Sequence, residues 1–257
     1  MDLNIKNIFV TGTDTSVGKS VFTALLALTL HNEGKKVCIS KPIQTGSPKD
    51  TDFLCEITGN KIPIFNTYSF SLPAAPLVSA EHEKKEIDIK KVIYEIKNLE
   101  KEYDCVIVEG IGGLAVPISM RHCEEAQRAD EVISKTLEDC RVGVNAPPRN
   151  DVYLVADLIK ALNYPVVIVV RPSLGTINHT VLTIEFAKQK RLNLLGFVIS
   201  GFDETLNDPV IKTAPDVISE ITKVKCLMKI SMVKKINFDE INLISKTIAF
   251  KEIRMLI

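Results

Sequence analysis

The pattern that most constrains this chain is a recurring one: short, unbroken apolar runs, each parted from the next by a helical stretch. NIFVTG (7–12), VCIS (37–40), DCVIVEG (104–110), PVVIVV (165–170) and LLGFVIS (194–200) are apolar on both faces, so neither face of such a strand suits water. Strands of that kind belong to parallel sheets covered on both sides, and parallel neighbours need helical crossovers. The intervening segments supply them. Helices are expected around 19–32, ended by Gly34, then within 87–103, near 152–163 and near 177–190. Within 87–103, Ile89, Val92, Ile93, Ile96 and Leu99 repeat with an amphipathic helical period. Beyond about residue 205, periodicity alone suggests helices at 215–225 and 238–249. The chain therefore reads as one doubly wound α/β domain over 1–257, a mostly parallel sheet with helices on both faces. Ligands of such a sheet gather at the carboxyl ends of its strands.

Composition narrows the partners. The 257 residues carry 32 basic and 32 acidic side chains, which gives no support to a nucleic-acid or membrane-surface protein. The start, MDLNIKNIFVTG, lacks the basic residues and long apolar run of a signal peptide. Nowhere do about 18 apolar residues follow one another, so no membrane span is expected and a cytoplasmic protein is. The cysteines (38, 55, 105, 123, 140, 226) form no C-x-x-C pair, and the histidines (31, 82, 122, 179) lack metal spacing. Cys38 and Cys105, inside apolar runs, read as small buried hydrophobes.

The first strand runs into TGTDTSVGKS, residues 11–20. Gly18-Lys19-Ser20, set between a strand and a helix, is the core of a phosphate-binding loop, which makes the fold one of the P-loop nucleotide-hydrolase type. Backbone N–H groups at a helix start cradle phosphate oxygens, Lys19 places a point charge at the β- and γ-phosphates, and Ser20 suits Mg²⁺. The match to G-x-x-x-x-G-K-[ST] is imperfect, because five residues separate Gly12 from Gly18 and Thr13 stands where a glycine is usual. The competing interpretation is an ordinary strand-to-helix turn with a solvated lysine.

Other chemistry clusters at strand ends. Glu109 closes the apolar run DCVIV, where a carboxylate is costly to desolvate unless it meets a cation such as a nucleotide-bound Mg²⁺. Asp52 is either a second metal ligand or the first-turn acid of a short helix. Lys41, in SKPIQTG, either reaches the phosphate site or is solvated; Pro42 and Gly46 indicate a bent loop after it. GIGGLA (110–115) formally fits a dinucleotide fingerprint, but Val116 and Pro117 follow where that motif requires a helix.

In order, GTDTSVGKS, KPIQTG, the Asp in DTDFL, VEGIGGLAVPI and LGTINHTVLT closely resemble the successive motifs of the dethiobiotin synthetase family, over roughly residues 7–200. The extra residue before Gly18 belongs to that family's own loop. The resemblance implies an ATP- and Mg²⁺-dependent ligase that joins 7,8-diaminopelargonic acid and CO₂ into dethiobiotin, with ADP and phosphate as the other products. CO₂ adds to one amine as a carbamate, the carbamate oxygen attacks the γ-phosphorus, and the second amine closes the ring with loss of phosphate. It further implies catalytic roles for Lys19 and Lys41, and Mg²⁺ ligation by Ser20, Asp52 and Glu109. Nucleotide contacts fall to Ser16, Val17, Gly18, Lys19, Ser20 and Val21, and to Gly110, Ile111 and Gly112 beside Glu109. Thr15 and Thr45 lie by the substrate in that correspondence. Gly175, Thr176, Ile177 and Asn178 match a helix start that receives the substrate carboxylate from the partner subunit of a homodimer.

The chain departs from the family in places. Residues 121–149 intervene where family members run almost directly from VPI to a DVYLVADLIKAL-like segment, and read as a tolerated surface insertion or as a flap beside the substrate loop. Ser200-Gly201 replaces a frequent asparagine, and the later proline-containing loop survives only as KISMV (229–233), which puts the preference for ATP over other triphosphates in question. The alternatives are a partition- or septum-type switch ATPase, whose early loop lysine is replaced here by Thr13 and Asp14, an inactive remnant, or an amidotransferase-type domain.

Overall fold

A computed structural model describes residues 7–120, 152–203, 205, 208–233 and 235–247. Seven strands form the central sheet: β1 (Asn7–Gly12), β2 (Val37–Ser40), β4 (Ile64–Phe65), β6 (Cys105–Gly113), β9 (Val166–Val170), β10 (Leu194–Phe202) and β11 (Cys226–Ser231). Their order is β11-β10-β9-β1-β6-β2-β4, and every pairing is parallel. The chain leaves β1 in one direction to β2 and β4, returns to β6, and then crosses to β9 on the other side of β1. The carboxyl end of β1 is thus a switch point, where connections diverge and leave a crevice.

Side chains alternate across the sheet with a period of two, which divides the core into two layers. Phe9, Val106, Val108, Ile168 and Phe197 face one layer; Ile8, Val10, Ile107, Val167 and Val198 face the other. The first is covered by α4 (Ile89–Leu99), α5 (Val155–Leu162), α6 (Thr176–Gln189) and α7 (Pro209–Thr222) through Val92, Leu158, Ile184 and Ile218. The second is covered by α1 (Lys19–Asn32), α2 (Asp50–Ile57) and α8 (Phe238–Thr247). Val21 to Leu30 of α1 are all buried, since the sheet covers one side and α2 and α8 the other. A helix apolar all round is an interior helix. The Thr29 hydroxyl ties it to α8, donating to the Ser245 carbonyl at 3.0 Å.

Two small pairings flank the main sheet. β3 (Ile43–Thr45) runs parallel to β5 (Tyr68–Phe70), and β7 (Pro117–Met120) runs antiparallel to β8 (Val152–Leu154). A further helix, α3 (Pro76–His82), packs beside β7 and β3.

Most expected elements appear with small shifts. The helix expected within 87–103 spans Ile89–Leu99, because Asp88 caps it by accepting the Lys90 and Lys91 N–H groups at 2.8 and 3.1 Å. The helix expected near 152–163 begins only at Val155. Residues Val152–Leu154 pair with β7, a partner that local periodicity does not see, and Asp157 accepts the Leu154 N–H at 3.0 Å to fix the start. The helix expected at 215–225 starts earlier, at Pro209, and runs through Pro215. That proline forfeits one ladder hydrogen bond and so reads in sequence as a helix start. Residues 248–249 and the segment 121–149, with Cys123 and Cys140, lie outside the described residues.

Candidate active site

The phosphate loop occupies the switch point. It leaves β1 at Gly12 and enters α1 at Lys19, with Ser16 and Gly18 in left-handed conformations (φ 56° and 95°). Glycine suits both positions: a Cβ on Gly12 would lie 2.6 Å from Val17 Cγ2, and one on Gly18, already at a positive φ, would press on Ser200. No side chain caps α1, so its first N–H groups are offered to a ligand. Lys19 is buried and donates to the Asp14 carbonyl at 2.8 Å. Burial, and secondly the charge on Lys41, lower its pKa to about 8.

Strand register builds the second half. Val10 lies opposite Glu109 across β1 and β6, and Ser40 opposite Val108 across β2 and β6, so Lys41 emerges beside Glu109. Glu109 Oε1 accepts from Ser20 Oγ at 2.9 Å and from Lys41 Nζ at 2.9 Å. Lys41 Nζ also donates to the Gly110 carbonyl at 2.9 Å and pairs with Asp50 Oδ2 at 2.6 Å. Lys41 and Glu109 are each 1% exposed, which makes this a desolvated ion pair. Burial pulls the Lys41 ammonium down, but the Glu109 and Asp50 carboxylates outweigh it and hold its pKa above the ordinary value. Among the described residues, none donates a hydrogen bond to the buried Glu109 Oε2.

Asp50 is a site residue that sequence reasoning missed. Buried Gln44 positions it: its Nε2 donates to Thr51 Oγ1, and its Oε1 accepts the Thr51 N–H, both at 3.1 Å. That exchange ties the first turn of α2 to β3. Asp50 and Asp52 both belong to that turn, but residues two apart do not share a helix face. Asp52 lines the same cavity, whereas Asp50 makes the contact with Lys41. Choosing between the two required knowing where Lys41 lies.

Two cavities meet at Thr15 and Gly112. The larger, about 630 Å³, gathers the charged groups: Lys19, Ser20, Lys41, Asp50, Asp52 and Glu109 line it. Of the other expected residues, Thr15, Ser16, Gly18, Val21, Thr45, Ile111 and Gly112 also line it. Val17 instead packs into the core, and Gly110 contributes its carbonyl to Lys41. The smaller cavity, about 450 Å³, is mostly apolar, walled by Leu114, Val116, Pro117, Leu182 and Phe186, with Thr13, Asp14 and Thr15 at its polar end. Gly175, Thr176, Ile177 and Asn178 line neither cavity; they start α6 behind Leu174, which is 89% exposed. GIGGLA contains the end of β6 and leads directly into strand β7 where a helix is required, which removes the dinucleotide reading. Ser200 packs against Gly18 of the phosphate loop.

A family model described as an AAA domain matches residues 6–129 and 141–239. ATP-dependent dethiobiotin synthetase BioD of Thermodesulfovibrio yellowstonii is 32% identical over 243 residues, covering 91% of each chain. The protein of the same name from Methanococcus vannielii is 34% identical, covering 86% of this chain and 90% of its own. Among solved structures, the MinC:MinD cell division complex of Aquifex aeolicus aligns with a TM-score of 0.55 at 15% identity, covering 98% of this chain and 93% of that one. The cell division ATPase MinD of Pyrococcus furiosus aligns with a TM-score of 0.54 at 16% identity, covering 98% and 97%. At such identities the structural likeness establishes the P-loop ATPase fold alone, with its parallel sheet and strand-to-helix phosphate loop. The sequence relatives carry more than the fold, and by them this chain belongs to the ATP-dependent dethiobiotin synthetase family.

Proposed function

We propose that this protein forms dethiobiotin from 7,8-diaminopelargonic acid, CO₂ and ATP, as a homodimeric cytoplasmic ligase. The observation that carries this is the meeting of two unlike cavities at Thr15 and Gly112. One holds two buried lysines and a hydroxyl–carboxylate pair; the other is an apolar pocket of about 450 Å³. The first suits a triphosphate, and the second suits the alkyl chain of a diamino acid whose amines lie at the junction.

Each residue then has a task. The N–H groups from Ser16 to Val21 hold the phosphates, and Lys19 turns from the Asp14 carbonyl to the β,γ-oxygens. Lys41 neutralises the carbamate oxygen and the γ-phosphate as they approach, which is positioning and charge stabilisation rather than covalent chemistry. Thr15 and Thr45 orient the amine and carbamate ends. Gly175 to Asn178, which line neither cavity of their own chain, serve the partner's site by offering helix-start N–H groups to the substrate carboxylate.

The residues also fit a magnesium ion. The orphaned, buried Oε2 of Glu109 and the Ser20 hydroxyl are hard oxygen donors, and Mg²⁺ commonly takes one or two carboxylates together with substrate phosphates. Ser20 and Glu109 would hold it with an acid from the first turn of α2, where the expected Asp52 lines the cavity and Asp50 pairs with Lys41. When bound, the ion neutralises charge on the β- and γ-phosphates.

The test is dethiobiotin formation, read by mass spectrometry, from purified protein, diaminopelargonic acid, bicarbonate and Mg²⁺ with each of ATP, GTP and CTP. Triphosphate-dependent product is expected. Folded, nucleotide-binding protein that yields none with any of them would sink the proposal and favour a switch ATPase.

A further inference from the structure

We propose that in the nucleotide-free protein the Lys41 ammonium sits in the divalent-cation position of this site, a tethered cation that keeps free metal out until a nucleotide brings it in. This rests on the site reading above and concerns its regulation. All three N–H donors of Lys41 are taken by protein oxygens: Glu109 Oε1 at 2.9 Å, the Gly110 carbonyl at 2.9 Å and Asp50 Oδ2 at 2.6 Å. Two carboxylates and a carbonyl around one point are the donor set that a hard divalent cation takes. The Ser20 hydroxyl shares the same Glu109 oxygen at 2.9 Å, so the group suited to a metal and the ammonium converge on one atom.

A second observation points the same way. Glu109 Oε2 is buried without a donor, although its carboxylate is 1% exposed. The ammonium has no N–H left for it, so the pocket is built for more ligation than Lys41 provides. Charge supplies the selectivity. Besides Lys41, the cavity lining holds Lys19 and Lys49, which offset the carboxylates of Asp52 and Glu56, so a free divalent ion gains its attraction only by displacing the Lys41 ammonium from Asp50 and Glu109. A triphosphate reverses that balance: it would pair with Lys19, Ser20 and Glu109 would hold the cation that accompanies it, and Lys41 would be left free for the transferring phosphoryl group. Metal and nucleotide would therefore enter together, and Lys41 would be available only once both are in place.

The experiment is Mn²⁺ binding to the full chain without nucleotide or substrate, followed by electron paramagnetic resonance, for wild type, Lys41→Met and Lys41→Gln. Both variants should bind Mn²⁺ at least about tenfold more tightly than wild type, since the competing charge is gone. Adding Glu109→Gln to Lys41→Met should abolish the gain. Affinity equal to or weaker than wild type in both variants would mean that Lys41 merely balances a buried carboxylate, and would overturn the proposal. Losing Lys41 leaves Glu109 unpaired, so thermal melting supplies a second readout. Mg²⁺ should raise the Tm of Lys41→Met and leave that of wild type unmoved. A variant that melts early and ignores Mg²⁺ counts equally against it. Wild-type protein that makes no dethiobiotin would refute the functional reading without touching this measurement, which uses neither substrate nor nucleotide.

Discussion

Lys19 and Lys41 reach one cavity from two regions of opposite construction. The phosphate loop holds Lys19 by a single backbone carbonyl, and burial lowers its pKa to about 8. The corner formed by β2, β6 and α2 surrounds Lys41 with two carboxylates and a carbonyl, and its pKa is held above the ordinary value despite near-complete burial. The same functional group, similarly buried, is under-neutralised in one place and fully paired in the other. An ammonium short of negative charge waits for an anion. One already paired has to be exchanged from its partners, which makes it suited to a later step.

That contrast can be broken most directly at Lys41. Lys41→Ala should lower turnover about 10²–10³-fold while nucleotide affinity stays within about threefold, read by steady-state kinetics beside calorimetric ADP binding. Unchanged turnover would remove Lys41 from the mechanism. The converse at Lys19 is smaller and falls on binding: Lys19→Ala should weaken nucleotide affinity roughly tenfold to a hundredfold, the worth of a charge-assisted contact. If both variants lost affinity alike, the two regions would not be distinct in function.

The pH response sharpens the difference. Unfolded Lys19 titrates near 10.5 and the folded, ligand-free side chain near 8. Because the unfolded chain binds more protons between those values, this group's burial cost is present in full below about pH 8 and is relieved as pH rises toward 10.5. Triphosphate binding restores a partner and favours the charged form. Affinity should therefore be highest below about pH 8 and fall above it, with proton uptake on binding seen by calorimetry in buffers of different ionisation enthalpy. Lys41, already above its ordinary value, should add nothing to that uptake near pH 8.

The smallest effect is expected away from both regions. Met120 pairs with Val152 across β7 and β8, so the ends of the segment between them are adjacent. Deleting 121–149 joins Met120 to Val152 through Asn150-Asp151, a two-residue hairpin connection with asparagine first. Turnover should stay within about twofold of wild type, since a long insertion adds little closure entropy. A large loss would give that segment a role at the apolar cavity beside β7.

Some of this was legible because the cause is local. NIFVTG and VCIS coincide with β1 and β2, since a strand apolar on both faces has only one stable setting. Lys19 and Ser20 stood out because Gly18-Lys19-Ser20 between a strand and a helix is the core of a phosphate loop, and Glu109 because a carboxylate that closes an apolar run needs a partner. Other features have no local cause. β8 exists because β7 lies beside it, and the start of α5 moves to Val155 as a result. α1 appeared simply apolar; that its outer side is covered by α8, far along the chain, could not be seen from its own residues. Asp50 and Asp52 offer the same carboxylate two positions apart, and only Gln44's hold on Thr51 puts the first of them against Lys41.

By itself, the sequence determined a strand-to-helix phosphate loop that carries Lys19, a lysine and an acid at the ends of apolar runs, and an alternation of apolar strands and helices that closes into a parallel sheet. The tertiary structure decided how those groups are paired. It placed Lys41 between Glu109 and Asp50, left Glu109 Oε2 without a donor, and kept Gly175 to Asn178 out of both cavities of their own chain. The reason is physical. Backbone preference and hydrophobic period act over a few residues, whereas the charge state and availability of a buried side chain depend on oxygens that strand register delivers from tens of residues away.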